Sequence, residues 1–90
     1  MFYVYILKSI NSNHYYIGHT SDLQKRLYEH NAGLVKSTKR YLPWEIAYTK
    51  SFNTKSEAYK RELQIKSYKS GNAFKKLINT WVADPAVAGC

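Results

Sequence analysis

Cysteine is nearly missing from this chain: one in 90 residues, Cys90, at the last position. A lone thiol closes no internal disulfide and builds no cysteine-based zinc cluster. That usage fits a reducing, cytoplasmic setting. The histidines, His14, His19 and His30, lack the HxxxH spacing that a zinc-binding helix needs. Glycine is scarce too, at four residues, with no GxGxxG and no phosphate-cradling loop among them. No Ser-His-Asp pattern stands out. The acidic residues are only Asp22, Glu29, Glu45, Glu57, Glu62 and Asp84. Of these, Glu57 and Glu62 share one predicted element, and a five-residue spacing puts them on different faces of a helix. This argues against a two-metal centre, which needs several clustered carboxylates. Any metal chemistry would rest on a single carboxylate. No apolar run approaches the ~20 residues that span a bilayer. Met1 to Leu7 is apolar, but it has no basic flank or cleavage signal and reads as a first strand.

What is abundant is positive charge. Fourteen Lys and Arg against six Asp and Glu leave a formal charge of +8. Such a domain attracts phosphate backbones by releasing their condensed counterions. The plain alternative is that the lysines merely solvate helix surfaces. An anionic membrane is a weaker partner, because no helix joins a broad apolar face to a basic one. With 44% hydrophobic and 16% aromatic residues, the chain has the means to fold. At about this length a fold buries only about 60% of its unfolded surface, which leaves no room for a large pre-formed cofactor cavity.

The local patterns predict an α+β domain over residues 1–81, with the order β-β-α-β-α-α. Phe2 to Lys8 and Tyr15 to His19 are aromatic and β-branched, and the turn formers of residues 9–14 separate them. They predict a hairpin. Period-two alternation puts Tyr3, Tyr5 and Leu7 on one face with Tyr16 and Gly18, and makes Tyr5 and Tyr16 diagonal neighbours. Ser21 and Gln24 match a capping box for a first helix that buries Leu23 and Leu27 and stops at Gly33. Residues 34–42 form a basic loop carrying Lys36, Lys39 and Arg40. Trp44 to Phe52 reads as the third strand. Thr54 and Glu57 cap a second helix reaching about Lys69, and Ala73 to Trp81 forms a third. A small three-stranded antiparallel sheet flanked by helices is the economical architecture. Residues 82–90 have no amphipathic pattern and read as a loose tail.

Arg26 and His30 are four residues apart and share a helix face. A guanidinium that forks onto phosphate oxygens, beside an imidazole that relays a proton, suits a phosphate; the two also make an ordinary exposed basic stripe. Glu62 and Lys66 make an i,i+4 pair that by itself gives the helix only ~0.3–0.5 kcal/mol. Nine tyrosines are many for such a chain. Some must be strand formers packed in the core. A pair beside Arg26 and His30 would make a reactive pocket, since neighbouring cations can lower a phenol pKa from its usual ~10.

Tyr3-Val4-Tyr5, ten intervening residues, then Tyr16-Ile17-Gly18 resembles the paired signature of the GIY-YIG nucleases. Arg26 in DLQKRLYEHN, His30 four residues on, and Glu62 in AYKRELQIK extend the resemblance over residues 2 to about 80. The likeness is greatest to small stand-alone bacterial members. It implies hydrolysis of a DNA phosphodiester with one divalent ion, Mg²⁺ or Mn²⁺, bound by Glu62. Arg26 would stabilise phosphoryl charge, Tyr5 or Tyr16 would activate water, and His30 would assist by hydrogen bonding. Gly18 would permit a close approach that a side chain would block. Two departures are Tyr3, where the signature has glycine, and His19, where the excision-repair members have lysine. Asn72 and Asn79 are both candidates for an auxiliary asparagine. Lys36, Lys39, Arg40, Lys66 and Lys69 are the candidate backbone contacts, which position DNA without reading its sequence. Specificity would then come from branched or damaged DNA shape or from a protein partner, as in repair or recombination; RNA stays open as a target. The competing readings are a non-catalytic nucleic-acid-binding module of the same fold, and an interaction domain whose charge is incidental.

Overall fold

The computed structural model describes residues 1–68 and 71–81. Strand β1 spans Phe2–Ser9, β2 spans Tyr15–Thr20, and β3 spans Trp44–Phe52. Helix α1 covers Leu23–Asn31, α2 Lys55–Lys66 and α3 Asn72–Thr80. A single 3₁₀ turn, Lys39–Tyr41, tightens the basic loop. The chain is thus an α+β fold of order β-β-α-β-α-α, as the sequence predicts. The predicted tail at 82–90 lies outside the described residues. None of the described helices is long and apolar enough to cross a membrane.

The sheet is antiparallel with β1 in the centre, in the order β2-β1-β3. In the hairpin, Tyr5 lies opposite Gly18 and Leu7 opposite Tyr16. Alternation then sends Tyr5 and Leu7 to one face, where they pack with Leu23 and Leu27 of α1 and with Trp44. Val4 and Ile6 go to the other face, against Ala58 and Ile65 of α2 and Phe74 of α3. Each such fully buried aliphatic side chain stabilises the fold by about 1.5–3 kcal/mol. A bulge between Ile6 and Leu7 adds a residue to β3, so Ile46 pairs with Leu7 and Tyr48 with Ile6. Ile46 and Tyr48 therefore face opposite sides, although a regular strand would put them on the same one.

Helix α3 runs one residue earlier than the predicted Ala73 to Trp81, and two other helix boundaries also differ from the sequence reading. Asp22, not Ser21, caps α1: its carboxylate accepts the Lys25 N–H at 3.1 Å. The Thr20 hydroxyl accepts the Asp22 N–H at 3.1 Å and fixes that geometry. Helix α2 closes at Lys66, with Ser67 as its C-cap, short of Lys69, which lies outside the described residues. At its start Thr54 accepts the Glu57 N–H at 3.2 Å, as the capping-box reading expects. The amide of Asn31 ties the end of α1 to β3: its Oδ1 accepts the Trp44 N–H at 2.6 Å and its Nδ2 donates to the Trp44 carbonyl at 3.1 Å. This bracket sets α1 across the tyrosine face of the sheet.

Candidate active site

Tyr5 occupies the middle of the central strand and is 1% exposed. Its phenol lies over Gly18, where a Cβ would come within 2.7 Å of the Tyr5 oxygen and 2.9 Å of Cζ. Glycine at this position is therefore the space that the phenol fills. Tyr16, diagonal to Tyr5 across the strand pair, holds its ring centroid 6.2 Å away. Helix α1 lays His30 against both rings, at 6.0 Å from the Tyr5 centroid and 4.8 Å from that of Tyr16.

His30 is wholly buried, so the exposed-stripe alternative for Arg26 and His30 does not hold. The ring turns inward because each of its nitrogens meets a polar partner. Nε2 is 3.2 Å from the Tyr5 hydroxyl and Nδ1 is 2.7 Å from the Thr38 hydroxyl. Burial first, and then the Arg26 charge, against the opposing charge of Glu29, hold the imidazole pKa down at about 4. His30 is neutral at physiological pH.

Arg26, one turn earlier, is half-exposed. Its guanidinium lies close enough to the Tyr5 phenol to act on its ionisation, while its directed hydrogen bond goes to Glu29 Oε1 at 3.3 Å. Arg26 and Glu29 line an open polar cleft of about 340 Å³ with His19, Thr20, Ser21, Asp22 and Lys25. The expectation that cations lower a phenol pKa is reversed at Tyr5. Burial pushes it up to about 12, and Arg26 offsets this only in part. Surplus charge on the surface does not substitute for solvent around a phenolate.

Glu62 approaches from the other side of the edge strand. Helix α2 packs on the Val4–Ile6 face, and Glu62 meets His19, the residue after Gly18, which alternation turns toward that face. His19 Nδ1 is 2.6 Å from Oε1, and Lys66 Nζ is 2.7 Å from Oε2. Burial alone would raise the Glu62 pKa, but the hydrogen bonds from Lys66 and His19 outweigh it and hold the carboxyl below its usual range. Its negative charge reaches round the strand and adds to the rise at Tyr5. Two groups thus flank the Gly18-His19 step: Tyr5, Tyr16, Arg26 and His30 on one side, Glu62 with His19 and Lys66 on the other.

The remaining candidates lie around this centre. Tyr3 and Ile17 are half-buried packing residues, and Val4 is core. Lys36, Lys39 and Arg40 are exposed on the loop that carries Thr38. Lys66 is bonded to Glu62, and Lys69 lies outside the described residues. Asn72 begins α3 and is exposed, while Asn79 lines a small apolar cavity with Tyr15, Phe74, Lys75 and Ile78. Thr38, which the sequence reading passes over inside a basic loop, is buried beside His30. Nothing local marks it, because its partner is eight residues away along an irregular segment.

Residues 1–76 match the GIY-YIG catalytic domain. The chain belongs to the GIY-YIG family. Among curated relatives, it is 43% identical to a UPF0213 protein of Halobacterium salinarum over 67 residues, covering 73% of this chain and 86% of that protein. A UPF0213 protein of Listeria welshimeri is 40% identical over 77 residues, covering 84% of each. The solution NMR structure of a UPF0213 protein from Bacillus halodurans aligns over 99% of this chain and 94% of that one, with a TM-score of 0.52 and 27% identity. The GIY-YIG assignment makes the chain a member of a nuclease family. It also gives the Tyr5–Gly18 contact a family setting, since both residues fall in the paired motifs that name it.

Proposed function

We propose that this GIY-YIG domain is a divalent-metal-dependent endonuclease that hydrolyses DNA phosphodiesters. Its targets are branched or damaged structures in repair or recombination, in a cytoplasmic setting. The observation that carries this reading is the clustering of Arg26, Tyr5, Tyr16 and His30 beside an open polar cleft, with one ionised carboxylate across the edge strand.

The donor chemistry of Glu62 fits a hard cation. It is nearly buried and ionised, and Mg²⁺ commonly takes one carboxylate, with water and phosphate oxygens completing its shell. Glu62 would hold Mg²⁺ or Mn²⁺, with Lys66 swinging its half-exposed ammonium into solvent to free an oxygen. Bound there, the ion would supply Lewis acidity at the scissile phosphate and leaving oxygen. Arg26, at the cleft, holds the non-bridging phosphate oxygens and stabilises the charge that grows on them. Water attacks phosphorus, the bond to the leaving nucleotide oxygen breaks, and that oxygen takes a proton from solvent. The water proton passes to a phenol oxygen, at Tyr5 with a relay of the phenol's own proton or at Tyr16 as its phenolate. Tyr5 is held protonated, so in that role it yields its own proton to His30 Nε2 in the same step. Lys36, Lys39 and Arg40 supply backbone contacts that carry no sequence information. Selectivity then rests on substrate shape or on a protein partner.

The test is cleavage of branched, damaged and plain duplex DNA, with RNA strands alongside, in Mg²⁺ or Mn²⁺. Glu62→Gln should lose cleavage by about 10²-fold or more while still binding DNA. No cleavage above that variant refutes the reading. One observation favours a second reading, a non-catalytic nucleic-acid-binding module: both Glu62 oxygens are already engaged by protein cations or donors. Under it, DNA binding falls steeply with salt and neither metal ion changes it.

A further inference from the structure

We propose that Thr38 is a positioning residue: its hydroxyl holds His30 as the Nδ1–H tautomer, so that Nε2 offers a lone pair to the Tyr5 phenol. The inference deepens the proposed nuclease reading and rests on it for its catalytic consequence, though not for the tautomer itself.

Counting donors and acceptors along the buried chain fixes the direction. The Val35 carbonyl can only accept, and it lies 3.3 Å from the Thr38 hydroxyl. It also receives the backbone N–H of Thr38 at 3.1 Å and of Lys39 at 3.0 Å. With its proton on that carbonyl, the Thr38 oxygen accepts from His30 Nδ1 at 2.7 Å. Nε2 then has no proton and accepts the Tyr5 O–H at 3.2 Å. Every hydrogen bond then runs the same way, from Tyr5 to His30 to Thr38, with the Thr38 proton turned to the Val35 carbonyl as a long third contact beside its two backbone donors. The opposite direction fails at Tyr5. Among the described residues the Tyr5 hydroxyl has His30 as its hydrogen-bond partner, and the Arg26 guanidinium that acts on it only donates, so the phenol proton would then lack an acceptor. A buried hydroxyl proton without an acceptor forfeits its bond to water and gains nothing in exchange.

Thr38 is itself held firmly. It is 1% exposed, and its carbonyl accepts the indole N–H of Trp44 at 3.0 Å. Trp44 is in turn fixed by Asn31 from the end of α1. The hydroxyl therefore has little freedom to turn away. An imidazole free in water prefers the Nε2–H form, which could not take the phenol proton. Thr38 selects the other form, as a carboxylate or carbonyl behind a histidine does elsewhere. The same loop displays Lys36, Lys39 and Arg40, so the segment that seats the backbone also sets the tautomer.

The experiment uses the full chain with ¹⁵N-labelled histidine and long-range ¹H–¹⁵N correlation at pH 7. The expected result for His30 is a pyrrole-type Nδ1 and a pyridine-type Nε2. Thr38→Val, nearly isosteric but without an acceptor, should move His30 toward the Nε2–H form, and Thr38→Ser should restore the first pattern. In cleavage assays Thr38→Val should lower kcat at least about tenfold with KM for DNA unchanged, and Thr38→Ser should recover it. An Nε2–H tautomer in the wild-type protein overturns the proposal, whether or not the valine variant folds. So does a valine variant that folds and keeps the Nδ1–H form. If the tautomer is as stated and the wild-type protein cleaves no substrate, the nuclease reading fails and the structural assignment stands.

Discussion

Acid should destabilise this protein through His30 before its carboxylates titrate. The ring is wholly buried and its pKa lies near 4 in the fold, against about 6.5 in an unfolded chain. A depressed pKa means that the unfolded state binds the proton first. The stabilisation is therefore complete above pH 6.5 and is lost as the pH falls toward 4. At 1.36 kcal/mol per unit, the loss is about 2 kcal/mol by pH 5 and about 3 kcal/mol by pH 4. This matters in a small domain, whose whole stability is about 5–15 kcal/mol. Urea unfolding at pH 7, 6 and 5 measures the slope, and an NMR titration of His30 identifies the group. His30→Gln should flatten the profile over that range, because glutamine does not titrate. The burial argument is refuted if the His30 signals titrate at or above 6.5, or if wild type and His30→Gln lose stability in parallel between pH 7 and 5. Below pH 5 Glu62 adds a loss of the same sign, since its carboxyl is also held low and must be protonated as the protein unfolds in acid.

Gly18→Ala should destabilise by about 1–3 kcal/mol, because the new methyl would meet a 1% exposed phenol that is fenced by Tyr16 and bonded to His30. Thermal melting should fall by about 4–8 °C per kcal/mol, and an unchanged melt would show that the phenol has room to move. Replacing Lys36, Lys39 and Arg40 together should weaken DNA binding uniformly across sequences and reduce the salt slope by about 0.9 for each phosphate that is no longer neutralised. Fluorescence anisotropy at several salt concentrations reads that slope; an unchanged slope would remove the loop from the interface.

Much of the architecture is written in local chemistry. Period-two alternation in the hairpin puts Tyr5, Tyr16 and Gly18 on one face and makes the tyrosines diagonal neighbours, because pleating is a property of each strand. Thr54 and Glu57 announce the start of α2 for the same reason: a cap is complete within one turn. At Ser21 the local pattern points to the wrong residue, because three potential capping side chains stand in a row, Thr20, Ser21 and Asp22. Only the path of the chain out of β2 decides which of them faces the helix amides.

The order of elements, the shared face of the hairpin tyrosines and the spacing of Arg26 and His30 all depend on neighbours within a turn or a strand pair, and so are legible in the linear chain. Folding in three dimensions was needed to show that His30 is buried and neutral, that Tyr5 is driven toward pKa 12, that Thr38 stands behind the imidazole, and that Glu62 meets His19 across the edge strand. Those outcomes depend on desolvation and on hydrogen-bond partners 8 to 43 residues apart. Neither quantity has a local signature, because water is excluded and distant donors are paired only when helices close over the sheet.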